Sequence, residues 1–282
     1  MSQTWTPLKL VAWTQGYFAR SGIDAPRLTS ELLLARALDC DRLRIYLDFD
    51  KPLAETELER YRALVKRRAE GEPTAYIINA KEFMGRSFQC DARALIPRPE
   101  TELLVESALS ALPAGGSALD LGTGSGCIGV TLSLERPQAH VIATDVSADA
   151  LALAHLNAER FGARLEFMRG DLFDPIPAQI RFDVIAANPP YVPSAEMGTL
   201  AREVKREPAL ALDGGDDGLS VMRRVVLGAP ARLRPGGTLL LEMHESHEAR
   251  LPALCLEVGF ASAGVRRDLA GLPRFVVARA TG

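Results

Sequence analysis

The chain is poor in cysteine, and the few it has are scattered. Cys40, Cys90, Cys127 and Cys255 form no CxxC pair, so neither a disulfide framework nor a structural zinc site is encoded, and a reducing cytoplasm is the expected setting. Histidine is equally sparse: His244 and His247 lie three apart with no further histidine or cysteine beside them, and no metal is expected. No apolar run approaches membrane-spanning length, and Met1 to Leu10 lacks a basic stretch followed by an apolar core, which argues against a membrane anchor or an export signal. Excess positive charge is missing too. A formal net charge of −3 gives no bulk attraction to nucleic-acid phosphates, so a partner must be recognised by a site.

What is present is ordinary globular material: 282 residues, 47% hydrophobic and 24% charged, enough for a large and a smaller domain with real cores. The first seventy or so residues read only as helices. Thr6-Pro7 offers an N-cap with proline at the first helical position, and apolar residues recur at helical spacing to Gly22. Further helices fit Leu28 to Leu38, Leu43 to Leu47 and Ala54 to Ala69, the last stopped by Gly71 and Pro73. Trp5 and Trp13 read as core residues, and Arg60, Arg62, Lys66, Arg67 and Arg68 as a solvated face that an RNA could also touch. Residues 1–73 are thus expected to form one helical domain.

From Thr74 to residue 98 short-spaced aromatic and apolar residues around Gly85 suggest a hairpin-like linker, and Pro97-Arg98-Pro99 then opens a helix to about Leu112. Residues 99–282 are expected to form the second domain. Strands fit Ala118 to Leu121, Val141 to Thr144, Leu165 to Met168, Asp183 to Ala187 and Thr238 to Met243. Helices fit Cys127 to Glu135, Ala148 to Phe161 and Leu219 to Leu233. The alternation predicts an α/β fold with an open, mostly parallel sheet covered on both faces, whose ligands bind beyond the carboxyl ends of the strands.

Asp120-Leu121-Gly122-Thr123-Gly124-Ser125-Gly126 falls where the first of these strands turns into a helix, and its glycines let a ligand approach the main chain. A tight turn without a ligand is the plain alternative, and a nicotinamide dinucleotide site the sharper one. Gly124-Ser125-Gly126-Cys127-Ile128-Gly129 matches GxGxxG, and Asp145 stands at about the 20-residue spacing of a ribose-binding acid. Two features oppose the dinucleotide. The match begins inside the loop, and Asp120 puts a carboxylate at the loop entrance, where it repels pyrophosphate and suits an ammonium and a sulfonium. S-adenosylmethionine carries both cations and no phosphate. Asp145 then accepts from its ribose hydroxyls, or else only caps the helix that follows, and Asp171 faces the adenine amino group unless it is an ordinary loop acid.

Asn188-Pro189-Pro190-Tyr191 follows an apolar strand. Two prolines remove two backbone donors and stiffen the chain, which leaves the carbonyls of Asn188 and Pro189 free and fixed in direction. If the Asn188 side-chain oxygen and the Pro189 carbonyl accept both N–H bonds of a planar NH2 group, its delocalised lone pair is aimed at a methyl donor, with Tyr191 packed on the plane. A turn after a buried strand is the competing explanation.

Together these residues resemble the protein-(glutamine-N5) methyltransferases of peptide-chain release factors, the PrmC/HemK family. The likeness extends over Gly71-Glu72-Pro73-Thr74-Ala75-Tyr76-Ile77, Lys81-Glu82-Phe83, Leu95-Ile96-Pro97-Arg98-Pro99-Glu100-Thr101-Glu102, Glu207-Pro208-Ala209-Leu210, Asp217-Gly218-Leu219 and Arg234-Pro235-Gly236-Gly237. It implies a Rossmann-like class I S-adenosylmethionine-dependent methyltransferase domain with a mostly parallel seven-stranded sheet and a small N-terminal helical domain that recognises the release factor. Asn188, Pro189, Pro190 and Tyr191 would be the catalytic clamp on the glutamine of a Gly-Gly-Gln tripeptide. Asp120, Gly122, Thr123, Gly124, Ser125, Gly126, Asp145, Val146, Asp171, Leu172 and Asn188 would hold the cofactor. The implied partners are class 1 release factors, free or on the ribosome, with no membrane and no sequence-specific nucleic acid. Arg98 and Glu100 would shape the wall between the domains without a chemical step. Two departures stand out: Met243-His244-Glu245-Ser246-His247 replaces a glycine and a glutamine common after Leu241-Glu242, and Leu172 replaces a common aromatic residue. A ribosomal-protein glutamine, an N6-adenine in nucleic acid, and cofactor binding without catalysis remain as rival readings, although the helical N-terminus lacks the basic, aromatic recognition region that adenine methylation calls for.

Overall fold

A computed structural model describes residues 4–282, and these divide into two compact units, 4–80 with 201–206, and 81–200 with 207–282. The first unit holds α1 (Pro7–Arg20), α2 (Pro26–Leu38), α3 (Arg42–Leu47), α4 (Glu55–Ala69) and α5 (Thr74–Ile78). Its core joins Leu10, Val11 and Phe18 of α1 to Leu33, Leu34 and Ala37 of α2 and to Leu58, Tyr61 and Val65 of α4, so the apolar faces read from spacing meet one another. Three expectations change here. Trp13 is 54% exposed and stacks on Tyr17 instead of filling the core. Of the basic run of α4, Arg60, Arg62, Lys66 and Arg67 are exposed as expected, but Arg68 is buried and pairs with Glu203. Thr74 to Ile78 is helical, not part of a hairpin, and stops at Asn79, whose φ of 58° is left-handed.

The hairpin itself is shorter: β1 (Lys81–Phe83) pairs with β2 (Arg86–Phe88) across a two-residue turn. Met84 and Gly85 both have positive φ, 49° and 70°, the backbone that matches strand twist in so tight a connection. Then come α6 (Pro99–Ala111), β3 (Ser117–Leu121), α7 (Cys127–Glu135), β4 (His140–Asp145), α8 (Ala148–Phe161), β5 (Glu166–Arg169) and β6 (Phe182–Ala187). The chain finishes with α9 (Ser220–Gly228), β7 (Leu233–Glu242), α10 (Arg250–Glu257), β8 (Ser262–Arg267) and β9 (Pro273–Arg279).

Seven strands form one sheet in the order β5-β4-β3-β6-β7-β9-β8, parallel except for β9, which runs against both neighbours. Alternate strand residues serve opposite faces. Leu119, Leu121, Ile142 and Ile185 pack with Met222 and Val225 of α9, whereas Ala118, Val141 and Val184 pack with Leu104 of α6 and Val130 of α7. The chain leaves β3 outward through β4 and β5, then returns to β6 on the other side of β3. The crevice at that reversal is where such sheets bind ligands. The single helix expected over Leu219 to Leu233 is instead α9, broken after Gly228, followed by a strand that starts at Leu233.

Candidate active site

The glycine loop hangs from the end of β4. Gly122 N and Thr123 N both donate to the Thr144 carbonyl at 2.9 and 2.8 Å, and Gly124 N donates to Asp145 Oδ2 at 2.9 Å. This path needs positive φ at Gly122, Gly124 and Gly126, 73°, 56° and 85°. Asp145 closes the arrangement by accepting from Ser147 N through Oδ1 at 2.9 Å. Its burial pushes the carboxyl pKa up, against the backbone donors that lower it.

Asp120 is not at the loop entrance, as the sequence suggests, but fully buried beneath the loop and outside the cavity wall. Its Oδ2 accepts from Thr123 Oγ1 at 2.5 Å and from Gly129 N at 2.8 Å, while Oδ1 is buried without a partner. The third glycine of the apparent GxGxxG is thereby explained without a dinucleotide: a Cβ on Gly129 would stand 3.0 Å from Asp120 Oδ2. Burial drives the Asp120 pKa to about 7.

On the other side of β3, the Asn188-Pro189-Pro190 segment leaves the end of β6. Asn188 Nδ2 donates to Thr101 Oγ1 at 3.3 Å, and Thr101 Oγ1 donates to Glu242 Oε2 at 2.7 Å. Asn188 Oδ1 is buried without a partner, and no described residue donates to the Pro189 carbonyl. A buried acceptor left alone costs about 1–3 kcal/mol, so Asn188 Oδ1 marks a place for a donor-bearing ligand. Tyr191 departs from its expected place. It lies off the cavity wall, packed against the sheet core with its ring 6.3 Å from that of His244, and burial pushes its phenol pKa well up, so it stays neutral.

A cavity of about 330 Å³ joins the two halves. Gly122, Thr123, Gly124, Ser125, Asp145, Val146, Asp171, Leu172, Asn188, Pro189 and Pro190 all line it; Asp120, Gly126 and Tyr191 do not. Gly126 instead lets α7 approach α8, where its Cβ would meet Ala154 at 3.1 Å. Three arginines also line the cavity, each with a carboxylate partner: Arg93 with Asp91, Arg98 with Glu207, Arg224 with Asp171. Asp171 therefore spends one oxygen on Arg224 at 2.8 Å.

Sequence reasoning leaves several contributors without a role. Glu207, buried, accepts from Ile96 N at 3.0 Å and from Arg98 Nη2 at 2.5 Å and so fixes the Ile96-Pro97-Arg98 wall. Gly214 and Gly218 let the loop before α9 press on the backbone of Tyr191, and His247 braces that loop by hydrogen bonding to the Asp217 carbonyl at 3.1 Å. Burial lowers the His247 pKa, so its ring is neutral and donates through Nε2. The likeness to family strings touches Asp217-Gly218 and Glu207, but no local spacing announces these jobs.

A seven-stranded sheet of this order, with its penultimate strand position filled by an antiparallel strand and its cavity at the glycine-loop end, defines a class I methyltransferase. A Pyrococcus furiosus methyltransferase structure shares the fold, with a TM-score of 0.55, 20% identity, and 72% and 92% of the two chains covered. Residues 9–78 match the PrmC N-terminal domain and residues 99–213 the methyltransferase small domain. The release factor glutamine methyltransferase of Geobacter sulfurreducens is 44% identical over 98% of each chain, and that of Chlorobaculum tepidum 42% identical over 96% of each. The chain belongs to the release factor glutamine methyltransferase family.

Proposed function

We propose that this protein methylates the side-chain amide nitrogen of the glutamine in the Gly-Gly-Gln tripeptide of class 1 peptide chain release factors, with S-adenosylmethionine as donor. The cavity fits that donor. Asp145 uses one lone pair of each oxygen on the protein, and an ionised carboxylate has about four acceptor sites, so two remain for a ribose diol. Val146, 45% exposed, and Leu172 offer apolar walls for a base. Every lining arginine is already paired with a carboxylate, so no cationic side chain of the wall is left free for a pyrophosphate. When bound, S-adenosylmethionine supplies a methyl group made electrophilic by its sulfonium.

The chain's own part is to hold and orient the nucleophile. An amide nitrogen is weakly nucleophilic because its lone pair is delocalised into the carbonyl. Asn188 Oδ1 and the Pro189 carbonyl accept its two N–H bonds, fix the plane, and draw electron density toward nitrogen as positive charge develops there. Prolines 189 and 190 lock the direction of that carbonyl. Neutral Tyr191 supplies no base; the methylated nitrogen is cationic with two N–H bonds, and one of these strongly acidified protons passes to water, leaving the neutral N-methyl amide with the other. The helical unit is proposed to recognise the body of the release factor, and the four free thiols fit a reducing cytoplasm. Among the described residues no helix is long and apolar enough to cross a membrane.

The unpartnered Asn188 Oδ1 is the observation that carries this reading. Incubating the protein with methyl-labelled cofactor and, separately, a release factor, ribosomes and DNA tests it. Label on the release-factor peptide bearing the glutamine is expected; label confined to nucleic acid or to a ribosomal protein overturns it.

A further inference from the structure

An asparagine side chain has two ends of nearly the same shape and opposite hydrogen-bonding character. If its oxygen faces the substrate NH2 the clamp accepts; if its nitrogen does, donor meets donor. The backbone around the proline pair leaves that choice open. We propose that Thr101 and Glu242 make it, as positioning residues in a polarised chain running from Asn188 Nδ2 through Thr101 Oγ1 to Glu242 Oε2 that keeps Asn188 Oδ1 turned toward the substrate amide. This rests on the reading of Asn188 as the substrate acceptor.

Thr101 is 1% and Glu242 3% exposed, so no bulk water competes for their bonds. An ionised carboxylate only accepts, so the 2.7 Å contact spends the one hydroxyl proton of Thr101 on Glu242. Thr101 Oγ1 then has only lone pairs left for Asn188, and the group facing it at 3.3 Å must be the NH2 end. Oδ1 is turned away from this chain by elimination, and it has no protein partner. Three separate elements meet to achieve this: Thr101 in the first turn of α6, Asn188 after β6, and Glu242 at the end of β7.

The polarity depends on charge at Glu242. A protonated Glu242 can donate to Thr101, which frees the hydroxyl proton to point at Asn188 and stabilises the flipped amide. Arg98 and Arg274 favour the charged carboxylate; Glu100 and, above all, burial oppose it, and the Glu242 pKa stands at about 7. Tyr191 and Cys127 also feel its charge, and burial keeps both neutral. Methyl transfer is therefore present above this value and lost as pH falls through it.

Kinetics of the full-length protein with release factor and cofactor test the chain. Thr101→Val is expected to lower kcat about 100-fold, the scale of one lost preorganised contact, with KM and cofactor affinity within about twofold. Thr101→Ser is expected to restore most of the rate. Glu242→Gln, which can donate or accept at any pH, is expected to give a slow enzyme without the acidic limb near neutrality. A second readout needs no substrate: the side-chain amide NMR signals of Asn188, assigned by their loss in Asn188→Asp, are expected to shift with pH in the wild type and to lose that response in Thr101→Val. A Thr101→Val enzyme with wild-type kcat and pH profile, or an Asn188 amide indifferent to Thr101, overturns the relay. If the amide responds as expected but the wild type leaves release factor unlabelled, the substrate assignment fails and the relay stands.

Discussion

Asn188 and Asp145 sit on opposite sides of β3 and answer to different ligands, which makes them separable by experiment. Asn188 has a buried oxygen waiting for a donor, and Asp145 has both oxygens engaged once by the loops it organises. Asn188→Ala is expected to lower kcat by about 10²–10³-fold while cofactor affinity, measured by calorimetry, stays within about twofold. Asp145→Ala is expected to do the reverse, chiefly weakening cofactor binding, because it removes a ribose acceptor and releases Gly124 N and Ser147 N together. Equal effects of both substitutions on cofactor affinity would deny the division. These two residues are legible in the sequence because each belongs to a local motif at a strand end. Thr101, Glu207 and Glu242 are not. Thr101 lies 141 residues from Glu242 and 87 from Asn188, and Arg98 lies 109 from Glu207, so only the sheet topology makes them neighbours. The position of Asp120 is misread for a related reason: composition shows that a carboxylate is near the loop, not which side of the backbone it takes.

Elements follow the same division. Helices with apolar faces and strands buried on both sides are readable to within a few residues, as α7 and α8 are, because burial imposes their pattern. The unread β8 is an edge strand with no fully buried residue, and it joins the sheet only through β9. The loop before α9 has no periodicity at all, yet its glycines hold the Asn-Pro-Pro-Tyr backbone in place. Gly218 and Gly236 have nearly equal φ, 71° and 72°, but a Cβ on Gly218 would strike the Tyr191 carbonyl and the His247 ring, whereas one on Gly236 meets nothing. Gly236→Ala therefore isolates left-handed strain, about 1–2 kcal/mol, and Gly218→Ala adds overpacking of about 1–3 kcal/mol. The expected result is a larger fall in melting temperature for Gly218→Ala and, in that variant alone, a fall in kcat as the clamp backbone shifts. Equal losses in the two variants would show that the close approach to Tyr191 has no consequence.

The molecule as a whole carries two fully buried carboxyls whose pKa values burial raises to about 7, Asp120 from 3.8 and Glu242 from 4.5. In the unfolded chain both ionise at their lower values, so between those values and about 7 the native state binds more protons, and stability falls as pH rises through that window. The exposed Asp213 and the half-buried Asp217 and Asp268 act in the opposite sense: hydrogen bonds lower their pKa values, so what they contribute is lost only on stronger acidification. Maximum stability is thus expected on the acidic side of neutral, whereas the relay through Thr101 needs Glu242 charged and places activity on the alkaline side. Glu242→Gln separates the two demands. Removing a buried, singly bonded carboxylate is expected to stabilise the fold by roughly 1–3 kcal/mol at mildly alkaline pH, a rise of a few degrees in melting temperature, and to leave it unchanged at acidic pH, where the wild-type group is already neutral. Calorimetric melting at the two pH values, beside kcat for the same samples, checks this. A variant that is less stable than the wild type at alkaline pH would mean that the Glu242 charge supports the fold instead of being tolerated for the sake of Asn188.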